Sequence, residues 1–130
     1  MILVDSSVWI EHMRNSITKQ VRFLRSLRGS DILLGDLILL ELLQGARSDR
    51  HASDLALELS EFKTASLSDP ALAVVAARNY RFLRSRGITI RKTVDLIIAT
   101  FCIESGHELL QSDRDFRPFR DHLGLVLAAA

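Results

Sequence analysis

Apolar and polar positions along this chain fall into blocks, with short apolar runs separated by longer stretches at helical spacing. Ile2-Leu3-Val4 is the first run, and Asp5 closes it. An uninterrupted run of this length reads as a strand buried on both faces, as in the centre of a parallel sheet. Asp5 then stands at the strand's carboxyl end, where open α/β sheets hold their ligands. Ser6 or Ser7 is suited to cap a helix that Val8, Trp9 and Ile10 begin and that ends near Arg14. The plainer role for Asp5 is itself a cap or turn, and this decapeptide does not separate the two.

The pattern continues in alternation. A helix is expected over 17–28, closed by Gly29, with Val21, Leu24 and Leu27 inward and Arg22, Arg25 and Arg28 as a solvated face. Residues 31–35 fit a second buried strand. Asp36 is read as the cap of a helix over 37–47 that is apolar around its whole circumference, with Glu41 in its middle, so this helix is expected to be buried. A polar helix over 49–61 and an edge strand near 62–66 follow. Ser68-Asp69-Pro70 opens a helix that runs to about Arg84 and ends by Gly87, with Arg78, Arg81 and Arg84 along one edge.

Ile88-Thr89-Ile90 reads equally as strand or loop. Thr93 is expected to cap a helix starting Val94-Asp95-Leu96-Ile97-Ile98-Ala99, which Gly106 ends. Residues 107–111 read as a strand leading to Ser112-Asp113-Arg114-Asp115-Phe116. Pro118-Phe119 is read as a turn and 123–127 as a last strand. Strands alternating with helices in this way imply an α/β fold on a mainly parallel sheet.

With 130 residues, 48% hydrophobic and 25% charged, the chain is expected to be one globular domain over 1–130. A single cysteine, Cys102, excludes an internal disulfide, and no Cys/His spacing suits zinc. No apolar run approaches the ~20 residues of a membrane span, and without a basic leader the chain is expected in the cytoplasm. The net charge is +1, yet all 17 basic residues but Lys19, Lys63 and Lys92 are arginine, which suits phosphate or carboxylate partners without establishing one.

Most of the 16 acidic residues sit in polar contexts. Asp5, Glu41, Asp95 and Asp113 do not. Two follow strands, one opens an apolar helix, and one lies within an apolar helix. Three of them have a plain alternative: a cap for Asp5, an arginine partner for Glu41, helix-dipole compensation for Asp95. Gathered at one sheet edge, however, four carboxylates raise one another's pKa, and a hard divalent cation relieves that conflict. Oxygen-only ligands suit Mg²⁺ or Mn²⁺ rather than zinc, and such a site beside arginines suits phosphodiester chemistry. No serine–histidine or cysteine–histidine arrangement competes; His12, His51, His107, His122 and Cys102 read as structural or exposed.

Taken together, Ile2-Leu3-Val4-Asp5-Ser6-Ser7-Val8-Trp9-Ile10, Leu40-Glu41-Leu42, Asp95 to Ala99 and Ser112 to Phe116 resemble the PIN-domain ribonucleases, and more narrowly the VapC toxins of toxin–antitoxin pairs. The likeness spans essentially the whole chain. It implies a three-layer α/β/α domain and Mg²⁺- or Mn²⁺-dependent cleavage of RNA. Asp5, Asp95 and Asp113 would hold metal, Glu41 would complete the site through water or as a base, and Asp115 would be an auxiliary acid. Ser7 and Ser112 would hydrogen-bond the carboxylates, and Arg78, Arg81 and Arg84 would track the RNA backbone.

The resemblance also implies a homodimer, silenced by a cognate antitoxin within a heterotetramer or larger assembly. The first two helices would offer that antitoxin an apolar groove of Trp9, Ile10, Val21, Phe23, Leu24 and Leu27. Serine stands after Asp5 where the family commonly has threonine. The alternative is a PIN-type module that binds RNA or a protein without cutting. A phosphoacceptor receiver needs adjacent acids after its first strand, and a haloacid-dehalogenase-type phosphatase needs an aspartate where Ser7 stands; this chain has neither.

Overall fold

A computed structural model describes residues 1–129. Its centre is a four-stranded sheet in the order β3-β2-β1-β4, formed by β1 (Ile2–Val4), β2 (Ile32–Gly35), β3 (Lys63–Ala65) and β4 (Glu108–Leu110). Every pairing is parallel, with Ile2 opposite Ile32 and Val4 opposite Leu110. β1 therefore lies in the middle, and Leu3, Val4, Leu33, Leu34, Leu109 and Leu110 are all but sealed from solvent. Burial on both faces is why these strands carry no alternating polar positions.

Seven α-helices among the described residues flank the sheet: α1 (Ser6–Met13), α2 (Lys19–Ser26), α3 (Asp36–Gln44), α4 (Asp49–Leu59), α5 (Pro70–Ser85), α6 (Thr93–Ser105) and α7 (Arg117–Leu123). One group joins α1 to α2 and α3, and α3 to α4. The other joins α5 to α6 and α7. The outcome is the expected α/β/α arrangement around a parallel sheet. None of the helices is long and apolar enough to cross a membrane.

Several local readings change. Asp5, not Ser6 or Ser7, caps α1, so the helix starts earlier than its apolar residues suggest. Gly35 precedes α3 and Lys92 precedes α6, which moves Asp36 and Thr93 into the first helical turn. The Asp36 carboxylate instead ties two amides, Leu37 N–H at 2.8 Å and Leu67 N–H at 3.0 Å, and so fixes the segment after β3 to the start of α3. The second helix stops at Ser26, and Gly29 begins a 3₁₀ turn.

Residues 88–90 form no strand. Pro118 lies in the first turn of α7 rather than in a loop, a position where its missing N–H costs nothing. The expected strand over 123–127 is one bridge, Leu109 to Leu127. Gly124, at φ 79°, ends α7 in the left-handed conformation and turns the chain too abruptly for a longer ladder.

The largest revision concerns α3. Only Ile38 and Leu42 are buried, while Leu40 is 52% exposed and Leu37, Leu39 and Leu43 are partly covered. An apolar circumference here does not mean a buried helix. The antitoxin surface expected on the first two helices also shrinks, since Trp9, Val21 and Leu24 belong to the core.

Gly35 sits where β2 passes into α3, and a Cβ there would stand 2.5 Å from Leu67 Cδ1 and 2.8 Å from Leu67 Cγ. Leu67 is wholly buried, so it has little room to yield. Gly35→Ala is expected to cost about 1–3 kcal/mol by overpacking. Adding Leu67→Ala should give a combined loss smaller than the sum of the two separate losses, because the second change removes the clash; strict additivity in chemical denaturation would show that the two sites do not meet.

Candidate active site

The carboxyl edge of the sheet brings the acidic residues together because β1 and β4 are neighbours. Asp5 N–H donates to the Leu110 carbonyl at 2.9 Å, which holds the ends of the two strands in step. Asp5 Oδ2 accepts from Ser7 N–H at 3.1 Å and from Ser7 Oγ at 2.6 Å. Ser7 Oγ in turn accepts from the Ser112 N–H at 3.1 Å. One hydroxyl thus links the cap of α1 to the loop after β4. Ser112 takes part through its backbone amide, not through the hydroxyl bond to a carboxylate expected from sequence.

After β4, Asp113 Oδ1 accepts from Asp115 N–H at 2.9 Å and caps the 3₁₀ turn over 114–116. The turn presents both carboxylates. Asp95 comes from the first turn of α6; it is only 8% exposed, and its Oδ2 has no hydrogen-bond partner among the described residues. One oxygen each from Asp95, Asp113 and Asp115 lies within 4.8 Å of the others. Asp115 is therefore one of the trio, and Asp5 stands near enough to raise Asp95 and to be raised by Asp113. Glu41, partly buried on α3, accepts from Ser6 Oγ at 3.4 Å.

Crowding and burial shape the electrostatics. Burial is the main cause raising Asp5 above the usual carboxylate range, opposed by its Ser7 bonds, with Asp113 adding repulsion. Glu41 is raised by burial and then by Asp5. Asp95 is pushed up to about 7, first by burial and next by Asp5. A buried carboxylate oxygen without a donor, among other acids, is costly unless a cation compensates it. Hard oxygen ligands and an unpartnered buried oxygen fit a divalent cation such as Mg²⁺ or Mn²⁺, with Asp95, Asp113 and Asp115 nearest to hand.

Sequence reasoning passed over Lys92, whose Nζ lies 3.6 Å from Asp113 Oδ2 and 3.9 Å from Asp115 Oδ2. Its charge is favoured by Asp113 and then by Asp95. The one available signal was its place just ahead of Asp95, where a helix start ordinarily has a cap residue. Arg91, Lys92 and Arg114 line a cavity of about 310 Å³ with Asp95 and Asp115. Arg78, Arg81 and Arg84 stand exposed on α5, with Arg84 above the Tyr80 ring, and are not among that cavity's lining residues. A larger cavity of about 880 Å³, bounded by Met1, Trp9, His12, Arg25 and Phe62, lies instead by the start of β2, at Ile32. Its size does not compensate for lacking this set of acids. Cys102, with its thiol pushed up to about 12 chiefly by burial, is a packing residue.

A sequence model of the family described as "PIN domain" matches residues 2–121. The Mycobacterium tuberculosis protein named "Ribonuclease VapC11" is 33% identical over 119 residues, covering 89% of each chain. Among solved structures, FitAcB from Neisseria gonorrhoeae superposes with a TM-score of 0.76 at 22% identity, over 99% of this chain and 98% of that one. A toxin-antitoxin complex from Klebsiella pneumoniae gives 0.71 at 17% identity, over 97% and 96%. These two structural likenesses speak for the fold.

The raised Asp95 makes the site's charge measurable without any substrate. The folded chain holds this proton more tightly than an unfolded chain, whose carboxyl lies near the ordinary aspartate value of 3.8. Stability of the metal-free protein is therefore expected to fall as pH rises from about 4 to about 7, and to level off above that. Asp95→Asn should remove much of this slope in melting temperatures recorded across the range. Saturating Mn²⁺ should oppose it in the wild type, because a ligand that binds only the folded state stabilises it. An unchanged slope in Asp95→Asn would place the proton elsewhere.

Proposed function

The chain belongs to the PIN-domain family and, within it, to the VapC group, and on that premise we propose that it is a divalent-cation-dependent endoribonuclease, the toxin of a toxin–antitoxin pair. The observation that carries this reading is the trio Asp95, Asp113 and Asp115 with one oxygen each within 4.8 Å, beside buried Asp5 and half-buried Glu41. The ribonuclease name of the similar VapC11 supports the same substrate class.

Asp95, Asp113 and Asp115, with Asp5 adjoining, are the residues to hold Mg²⁺ or Mn²⁺. When bound, such a cation supplies Lewis-acid stabilisation of the phosphoryl oxygens and lowers the pKa of a coordinated water. Ser7 keeps Asp5 oriented by donating from both its amide and its hydroxyl. The Ser112 amide ties the Asp113 loop to that same hydroxyl. Glu41, raised by burial and by Asp5, is suited to take a proton from the attacking water. Arg91 and Arg114 line the cavity beside Asp95 and can meet the RNA backbone there. Arg78, Arg81 and Arg84 extend the basic surface along α5.

The partners in this reading are RNA, a second copy of the chain and a cognate antitoxin. Exposed Leu40 on α3, with Val74 and Phe82 on α5, offers apolar surface for pairing. A cavity of about 430 Å³ is lined by Ile10, Met13, Leu42 and Leu55 and reaches Glu41, so an antitoxin helix seated there would border the acids. It takes over the role that the core residues Trp9, Val21 and Leu24 are too buried to fill.

In purified protein with Mn²⁺, Glu41→Gln is expected to lower RNA cleavage by about 10²–10⁴-fold, the usual range for a lost general base. Asp5→Asn should abolish cleavage while RNA binding persists. Expression of the wild type should arrest growth, and coexpression of the small gene beside it should restore growth. Asp5→Asn should be harmless alone yet still copurify with that gene's product. Equal arrest by wild type and Asp5→Asn would mean that toxicity is not nucleolytic, and would favour a module that binds without cutting.

A further inference from the structure

α6, like α3 and α7, lacks the side-chain cap bond that the other four α-helices carry, and it alone of the three has a charged residue at the cap position. Asp5, Thr18, Ser48 and Asp69 each cap a helix with a side-chain oxygen that accepts an amide. At α6 the cap position holds Lys92, which makes no such bond and puts a cation where the helix dipole prefers an anion. Thr93, a good cap residue, is one place too late. Residues that violate local preference without local compensation are expected at functional sites. The compensation here is the pair of carboxylates on the loop after β4, at 3.6 and 3.9 Å from the ammonium.

That arrangement is loose. The Lys92 side chain is 63% exposed, so its two ion pairs are screened by water and easily exchanged. Both of its partner carboxylates, Asp113 and Asp115, belong to the trio suited to a divalent cation, and a carboxylate cannot serve an ammonium and a metal ion equally well. A displaced ammonium on a flexible four-carbon stem remains in the cavity it shares with Arg91 and Arg114.

We infer that Lys92 is a positioning residue: its ammonium holds Asp113 and Asp115 in the metal-free chain, and moves to an RNA phosphate when a divalent cation claims those carboxylates. This rests on the metal-nuclease reading above. Lys92 links loading of the acids to gripping of the substrate backbone, so that the cavity becomes fully cationic only beside a loaded site.

Lys92→Met tests it, with Lys92→Arg as the conservative control. The Lys92 carbonyl accepts from Leu96 N–H at 3.2 Å whatever its side chain is, so α6 should persist in both variants. Titration calorimetry with Mn²⁺ alone reads the first half without any RNA cleavage. Lys92→Met is expected to bind Mn²⁺ about fivefold more tightly, the equivalent of about 1 kcal/mol, because the competing cation is gone. Lys92→Arg should keep the wild-type affinity. Unchanged or weaker Mn²⁺ binding in Lys92→Met would overturn the inference, since a merely structural lysine leaves the metal unaffected or loosens it.

The second half is read by binding a short single-stranded RNA to Glu41→Gln protein in Mn²⁺, with the RNA checked for integrity afterwards. Adding Lys92→Met should flatten the salt dependence by about 0.7, one phosphate contact, and Lys92→Arg should restore it. A slope indifferent to Lys92 would remove the substrate contact. Should the wild type show no heat with Mn²⁺, both this inference and the metal reading fail; should Mn²⁺ bind while only the Lys92 effects are missing, the inference alone fails.

Discussion

Everything at the carboxyl edge of the sheet depends on negative charge brought together where solvent cannot neutralise it. Asp5 and Asp95 are buried, Asp113 is partly so, and Asp5 and Asp113 both raise the pKa of Asp95. Such a cluster opposes folding, and the rest of the chain must outweigh it. The β1–β4 ladder, the Asp5–Leu110 bond and the Ser7 hydroxyl between two strand ends supply geometry, not charge. Lys92 is the only ammonium paired with these acids among the described residues, and it is mostly in water. The edge is thus held in shape by backbone pairing while its electrostatics are left unfinished.

That division explains which parts were legible in the sequence. Asp5 and Asp113 could be read because each follows an apolar run too short for anything but a strand, and parallel strand ends share one edge. Asp95 could be read because a carboxylate interrupts an apolar helix start. Glu41 was legible for a reason that holds only in half: α3 is apolar all round, but Leu40 faces solvent, so the pattern marked exposed apolar surface as well as a core. Periodicity cannot tell those two apart, since both place apolar residues at the same helical spacing.

Lys92 went unread, and Asp115 entered only as the auxiliary acid that the family resemblance implies, for a different reason. A lysine before a helix and a second acid in a polar loop look like ordinary solvated residues, and their significance exists only across chain-distant contacts between the α6 start and the 3₁₀ turn after β4. The same holds for Asp36, whose second acceptor bond reaches Leu67. At the carboxyl-terminal end, Pro118 misled because proline marks both turns and helix starts. Here the preceding 3₁₀ turn leads straight into α7, and Phe116 and Phe119 are wholly buried under the site. The last segment contributes one bridge instead of a strand because Gly124 redirects the chain.

The order of elements adds a constraint of its own. The acids come from the first strand, the middle of the chain and the last strand, and the contact that closes the site, Ser112 to Ser7, spans 105 positions. Loop-closure entropy makes such a contact dependent on the rest of the sheet being in place, since nothing local holds the two ends together. A chain that has formed β1, β2 and β3 but not β4 has Asp5 at an unpaired edge and does not hold the Asp113–Asp115 turn beside it. The charge cluster, with its cost and its chemistry, therefore comes into being only when β4 docks beside β1. On the proposed reading of this cluster as the nuclease site, a partly folded or truncated chain would have no assembled site with which to cut, and activity would depend on native topology.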